Sequence, residues 1–177
     1  MTLSSLPDVS PDQLDDPTTD PGVHRVLGVL RHRGIATPVT LLPADAEQAL
    51  ATTLSLGIES DSRAQSILLA GRGPAGESLA VLVLAPSSRR LDLDRLAAVT
   101  GFTHLRPSTP AEVASHTGYP AEAIAPVGHR RQVTVLVDSS LSRLRRIWVS
   151  AGHRRAIFAT TYVQLIALTG ARPITVI

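Results

Sequence analysis

The amino-acid sequence predicts an α+β fold, a single domain in which helices flank a mixed β-sheet. Three observations carry that expectation. Short β-branched runs such as Val133-Thr134-Val135-Leu136-Val137 read as strands. Segments with apolar residues at helical spacing lie between them, so helices and strands interleave. The chain has 177 residues, 44% of them hydrophobic, enough for one buried core, and it shows no internal repeat. Aromatic residues make up only 3%, so that core must be mostly Leu, Val, Ile and Ala.

Residues 1–21 place Pro7, Pro11, Pro17 and Pro21 among Asp8, Asp12, Asp15, Asp16 and Asp20, with no apolar periodicity. They read as a disordered or loosely attached arm ahead of a folded domain spanning 22–177. Val23, Val26, Leu27 and Leu30 recur at helical spacing up to Gly34, which predicts a first amphipathic helix. A short strand is expected at 37–42. A helix at 44–54 follows, with Asp45 and Glu47 at its start and Gly57 just past its end. Strands at 66–70 and 78–84, joined by a glycine-rich turn at 71–76, read as a hairpin. Helices are expected at 91–101 and 110–117, the second with Thr109 as N-cap. Strands at 133–137, 146–150 and 156–159 follow, then a helix at 162–169 stopped by Gly170 and a last strand at 174–177.

Composition excludes several classes of function. The chain has no cysteine, which rules out disulfides, thiolate-bound zinc and a thiol nucleophile. No apolar stretch is long enough to span a bilayer, and Met1-Thr2-Leu3-Ser4-Ser5 lacks the basic and apolar regions of a signal peptide. A cytoplasmic location is the expectation. Net charge is only +2, and all 17 Lys+Arg residues are arginine. Residues 1–20 carry acids and no basic residue. Arginines gather at Arg130-Arg131, Arg143-Arg145-Arg146 and Arg154-Arg155. Each cluster alone reads as solvated surface; three near one another fit a polyanion such as RNA, with no membrane or DNA partner indicated.

Three familiar motifs fail on context. Gly71-x-Gly73-x-x-Gly76 matches a dinucleotide-binding pattern but lies between two strands, with no helix N-terminus to hold a pyrophosphate. The six histidines, His24, His32, His104, His116, His129 and His153, show no helical zinc-site spacing with Glu, so neither metal nor cofactor is expected. No Gly-x-Ser-x-Gly elbow exists, so Ser139, Ser140 and Ser150 are poor candidates for a classical nucleophile.

The tract from Thr117 to Asp138 holds the richest chemistry. Thr117-Gly118 opens a loop through Pro126 and Gly128, and a short apolar strand then delivers Asp138 at its end. Pro126 fixes φ and lacks an N–H, and Gly128 can take positive φ, so backbone amides there could converge on one carbonyl or phosphate oxygen. Asp138, read from the residues alone, is a cap for the turn that follows. His129 and His153 read either as pocket residues or as surface loop residues.

Together with Arg63-Ala64-Gln65-Ser66-Ile67-Leu68-Leu69, Leu91-Asp92-Leu93-Asp94-Arg95-Leu96, Trp148-Val149-Ser150-Ala151-Gly152-His153 and Leu168-Thr169-Gly170-Ala171, this tract resembles the YbaK/ProX family of aminoacyl-tRNA deacylases. The resemblance covers roughly the last two thirds of the chain, with the motifs in the family's order. It implies a curved or barrel-like sheet and hydrolysis of the ester of mischarged tRNA, with aminoacyl-tRNA and an aminoacyl-tRNA synthetase as partners. The site it implies has Gln65, Gly128 and Asp138 as catalytic residues. Thr117, Gly118, Pro126, His129, Ser150, Gly152 and His153 would bind substrate, and Arg130, Arg131, Arg154 and Arg155 would bind tRNA. Two departures fall where the chemistry should be. Gln65 stands where the family usually has a lysine, less often an asparagine. Glu122 stands at the first glycine of the family's Gly-x-x-x-Pro-x-Gly. The alternative is therefore a module that keeps the fold and binds tRNA ends, a synthetase or an aminoacyl-like ligand without editing. Which amino acid would be removed is not legible in the sequence.

Overall fold

The structure, a computed structural model, describes residues 16–176. Most of the expected N-terminal arm thus lies outside the described residues; within it, 17–19 form a turn and Asp20 caps the first helix. Helix α1 (Pro21–His32) starts there because Asp20 Oδ1 accepts from the amides of Gly22 (2.6 Å) and Val23 (3.1 Å), and Pro21 fits the first helical turn. Its buried stripe is Val23, Val26 and Leu30, as the spacing predicts.

Strand β1 (Val39–Leu41) and helix α2 (Ala46–Ser55), capped by Asp45, come next. The hairpin β2 (Ala64–Arg72) and β3 (Ser78–Pro86) pairs in strict register from Ala64 with Pro86 to Arg72 with Ser78. Helix α3 (Leu93–Thr100), strand β4 (Thr103–Pro107) and helix α4 (Pro110–Thr117) follow. Then come β5 (Thr134–Asp138), β6 (Ile147–His153), β7 (Ala156–Thr160), helix α5 (Tyr162–Thr169) and β8 (Arg172–Ile174).

The strands form two sheets. The larger has the order β4-β2-β3-β5-β8, and the smaller is β1-β7-β6, antiparallel throughout. β5 runs parallel to both β3 and β8, so the larger sheet is mixed, as expected. Among the described residues the sheets meet at a bridge between Arg63 and Trp148 and do not close into a barrel. β3 separates two apolar layers. Leu82 and Leu84 face a core with α1, β6 and α5, while Val81, Val83 and Ala85 face Leu96 and Phe102 on the other side.

Two expectations are corrected. β4 was not anticipated: of Thr103, His104, Leu105, Arg106 and Pro107 only Leu105 is half-buried, and His104 takes a positive φ of 53°. An edge strand with one inward side chain has too little alternation to read. The final strand lies at Arg172–Ile174 rather than 174–177, because pairing with Leu136–Asp138 sets its position.

Candidate functional site

A cleft of about 250 Å³ opens where the bridge joins the two sheets. Arg63, Gln65 and Ser66 enter it from the start of β2, and Ser87 from the turn after β3. Ala121, Glu122 and Ile124 come from a short 3-10 turn, and Ser150, His153 and Arg154 from β6 and the turn beyond it. Trp148, Val149 and Ile157 supply the apolar floor.

Local chemistry holds each wall. On β2, Ala64 and Leu68 face the main core and Ile67 and Leu69 the second, so Gln65 shares the second face and Ser66 the first. Gln65 Nε2 donates to the carbonyls of Arg89 (3.0 Å) and Pro86 (3.3 Å), which ties the 86–89 turn to the cleft rim. Ser150 Oγ donates to the Ala123 carbonyl (3.0 Å) and accepts from the Gly152 amide (3.1 Å), locking the 3-10 turn onto β6. His153 is buried, and its Nδ1 accepts from the Arg155 amide (3.1 Å), so a proton on the neutral ring sits on Nε2. Arg155 Nε donates to the Leu42 carbonyl (2.9 Å), fastening the β6–β7 hairpin to the end of β1. The Asp16 carboxyl is held below its usual range, first by the Thr18 amide, then by the Thr18 hydroxyl, with the Arg155 guanidinium as a lesser cause. The start of the described chain therefore lies beside this hairpin.

The structure thus brings Gln65, Ser150, His153 and Arg154 together, and leaves the other expected site residues elsewhere. Gly128 does not line the cleft. It packs against Tyr119, and a Cβ there would meet Tyr119 Oη at 2.6 Å with φ at +76°. Tyr119 is buried and donates to the Val127 carbonyl (2.7 Å); burial raises the pKa of its phenol. Arg25 stacks over that ring, 4.6 Å from its centroid, and donates to the carbonyls of Gly118 (2.7 Å) and Gly128 (3.2 Å). Thr117 is buried, with Oγ1 donating to the Val113 carbonyl and accepting from the Tyr119 amide. His129 Nε2 lies 2.8 Å from the Ala125 carbonyl, which places the proton on Nε2; burial pushes this imidazole's pKa down. Gly152 also serves packing: its Cβ would sit 2.6 Å from the Tyr119 ring and 3.0 Å from the Gly22 backbone. These residues form a brace around Tyr119. The bond from Tyr119 to Val127 spans the segment that contains the 121–124 turn of the cleft.

Asp138 is fully buried at the end of β5. One oxygen accepts from the Ser140 amide (2.8 Å) and the other from the Val176 amide (2.9 Å), so both are committed to the backbone. Pro126, His129, Arg130 and Arg131 line a separate depression with Leu168 and Thr169, which shares no residue with the cleft. Arg63, Ser66, Ser87 and Trp148 are cleft residues that sequence reasoning did not single out. Arg63 and Trp148 do stand inside two of the quoted motifs, and their bridge is the missing tertiary fact. No cluster of three or more His, Asp or Glu among the described residues is arranged to hold a metal ion.

Comparison with known proteins decides the family. Residues 43–168 match the aminoacyl-tRNA editing domain. The chain belongs to that family. The editing-domain fold is shared with a protein described as a candidate trans-editing enzyme for prolyl-tRNA synthetase. The two are 32% identical, covering 89% of this chain and 97% of that one, with a TM-score of 0.75. A scaffold protein used for computational grafting of linear epitopes is 30% identical over the same shares, with a TM-score of 0.77. A hypothetical protein at 20% identity, covering 86% of this chain and 98% of its own, has a TM-score of 0.72 and shares the fold.

Proposed function

We propose that this editing domain hydrolyses the ester of misacylated tRNA in trans. The observation that carries the reading is the cleft itself. It gathers an amide (Gln65), three hydroxyls (Ser66, Ser87, Ser150), an imidazole (His153) and two guanidinium groups (Arg63, Arg154) over an apolar floor, in a chain with no thiol and no serine elbow. Such a site can position an ester and stabilise charge on its carbonyl oxygen without forming a covalent intermediate. Water, or a hydroxyl of the substrate, attacks the acyl carbon and the bond to the ribose oxygen breaks. For water, one proton ends on the ribose hydroxyl and the other leaves with the new carboxyl group. The guanidinium groups at the rim suit the phosphates beside the terminal adenosine.

The trans-editing neighbour's description supports a free-standing role beside an aminoacyl-tRNA synthetase, which we carry over as part of this reading. In this reading the amide cradle, expected from the sequence at Ala125–His129, is assigned to the 121–124 turn, the part of the same loop that lines the cleft. A cytoplasmic site of action belongs to the same proposal; no helix among the described residues is long and apolar enough to cross a membrane.

Glu122 favours a second reading. An exposed carboxylate on the cleft lining opposes an anionic ligand, and it stands at the first glycine of the pattern that the loop resembles. A panel of tRNAs each charged with a wrong amino acid separates the two. Release of free amino acid above the uncatalysed rate from at least one establishes the deacylase. Binding without release from every one leaves a tRNA-end binding module.

A further inference from the structure

The cleft does not end at Gln65. Across that side chain and Ser87 it continues into a second groove of about 520 Å³. Ile67, Leu91 and Leu93, all half-buried, form its floor, and Arg89 and Arg90, both exposed, form its wall. Arg89 continues into a smaller depression with Arg143, which also holds Asp61 and Ser140; the Ser140 Oγ is buried with no partner among the described residues. Arg63, Arg89, Arg90 and Arg143 have no carboxylate partner among the described residues, where the ion pair is Arg106 with Glu112. The surface leading out of the cleft is thus an apolar strip edged by arginines, with Asp61 as the carboxylate of the adjoining depression.

We propose that this groove carries the single-stranded 3′ end of the tRNA out of the cleft. The nucleotide before the terminal adenosine lays its base on Ile67, Leu91 and Leu93 and its phosphates against Arg89 and Arg90. The proposal rests on the deacylase or tRNA-end reading above. Single-stranded nucleic acid is held by such a pairing of a cationic edge with an apolar platform, and the groove is within the size range of built ligand sites. Continuity decides between arginine clusters. The groove shares Gln65 and Ser87 with the cleft, whereas the depression holding Arg130 and Arg131 shares nothing with it. Gln65 acquires a positioning role from the same geometry. Its amide holds the carbonyl of Arg89, which ties the cleft rim to the groove wall.

The test compares Arg89→Gln/Arg90→Gln with Arg130→Gln/Arg131→Gln in the full chain, each first shown by thermal melt to be folded. Binding of uncharged tRNA is measured across a salt series, once with the intact 3′ end and once with its unpaired 3′ nucleotides removed. We expect the Arg89/Arg90 variant to reduce the slope of log K against log salt by about 1.4 on intact tRNA, two contacts at roughly 0.7 each. On trimmed tRNA the same variant should match the wild type. In deacylation its KM should rise severalfold with kcat retained. A slope loss that follows Arg130/Arg131 instead overturns the proposal, as does an Arg89/Arg90 loss that persists on trimmed tRNA. Wild-type protein that cleaves mischarged tRNA while the Arg89/Arg90 variant keeps the full slope defeats this inference alone. Wild-type protein that neither binds nor cleaves any tRNA defeats the functional reading, and this inference with it.

Discussion

The cleft and the brace behind it are built from opposite kinds of residue. The brace uses Gly118, Tyr119, Gly128 and Gly152, residues that catch the eye in a sequence because they bend or crowd a backbone. The cleft uses Arg63, Gln65, Ser66, Ser87 and Ser150, which could stand on any surface. The conspicuous residues do not touch the cleft; they fix where the inconspicuous ones stand. Tyr119 shows how. Its ring meets Gly152 and its hydroxyl meets Gly128, and Arg25 clamps the same loop at two carbonyls. Glycine at 128 and 152 is thus required by close packing, and close approach to a ligand is a different demand that leaves the same mark on a sequence. Substitutions in the cleft should therefore change chemistry at nearly constant stability, and substitutions in the brace should do the reverse.

The largest effect is expected at Gln65. A lysine there can donate to the Pro86 and Arg89 carbonyls as the amide nitrogen does, so the 86–89 turn is retained while a positive charge enters the cleft. A charge-assisted hydrogen bond to the ester or its phosphate contributes ~1.5–3 kcal/mol, roughly a tenfold to hundredfold gain in deacylation rate. Rates for Gln65→Lys, Glu122→Gly and the double variant on one mischarged tRNA check this. A gain from Glu122→Gly alone would move the defect from the missing cation to the carboxylate on the 3-10 turn. Faster Gln65→Lys with an unchanged melting temperature is the outcome that the contrast between cleft and brace requires.

Next in size is Gly128→Val. A β-branched residue at φ +76° costs roughly 1–2 kcal/mol of backbone strain, and its Cβ must also displace the Tyr119 hydroxyl from 2.6 Å. For a domain of this length, about 2 kcal/mol lowers the melting temperature by roughly 4–8 °C. Stability measured by thermal melt should fall more than the turnover of the protein that remains folded. A variant with wild-type stability and no activity would return Gly128 to the ligand.

Legibility in the sequence follows the same division between local and tertiary causes. Helix α5 was readable to the residue because its signals are local: Thr161 and Gln164 form a capping box and Gly170 ends the helix in the left-handed region. The β2–β3 hairpin was readable for the same reason, with its turn at Gly73–Gly76. Within the site, the Gln65 and Trp148–His153 motifs were legible. What brings them together is the pairing of Arg63 with Trp148, residues 85 positions apart, and no local pattern encodes that. Asp138 was legible as a polar residue ending an apolar strand. Its second oxygen is taken by Val176 from the far end of the chain, a partner that spacing does not reveal.

The smallest effect concerns pH and lies wholly in the brace. His129 sits edge-on to Tyr119, with ring centroids 6.2 Å apart, and has Arg25 as its charged neighbour. Burial is the main cause of its lowered pKa, Arg25 adds to it, and the Ala125 carbonyl opposes both. The unfolded chain therefore takes up a proton at this ring before the folded chain does. Between the ordinary histidine value of 6.5 and the lower folded value, stability falls as pH falls, and below that window the loss is complete. His129→Phe keeps an aromatic edge against Tyr119 and removes the titration. Melting temperatures of wild type and variant, recorded from pH 7.5 to 5, should show the wild type falling relative to the variant on acidification, because only the wild type must keep that imidazole neutral. Any acid limb of the deacylation rate should be the same for both. A shift in that limb would mean that His129 communicates with the substrate, and the line between brace and cleft would have to be redrawn through the loop that joins them.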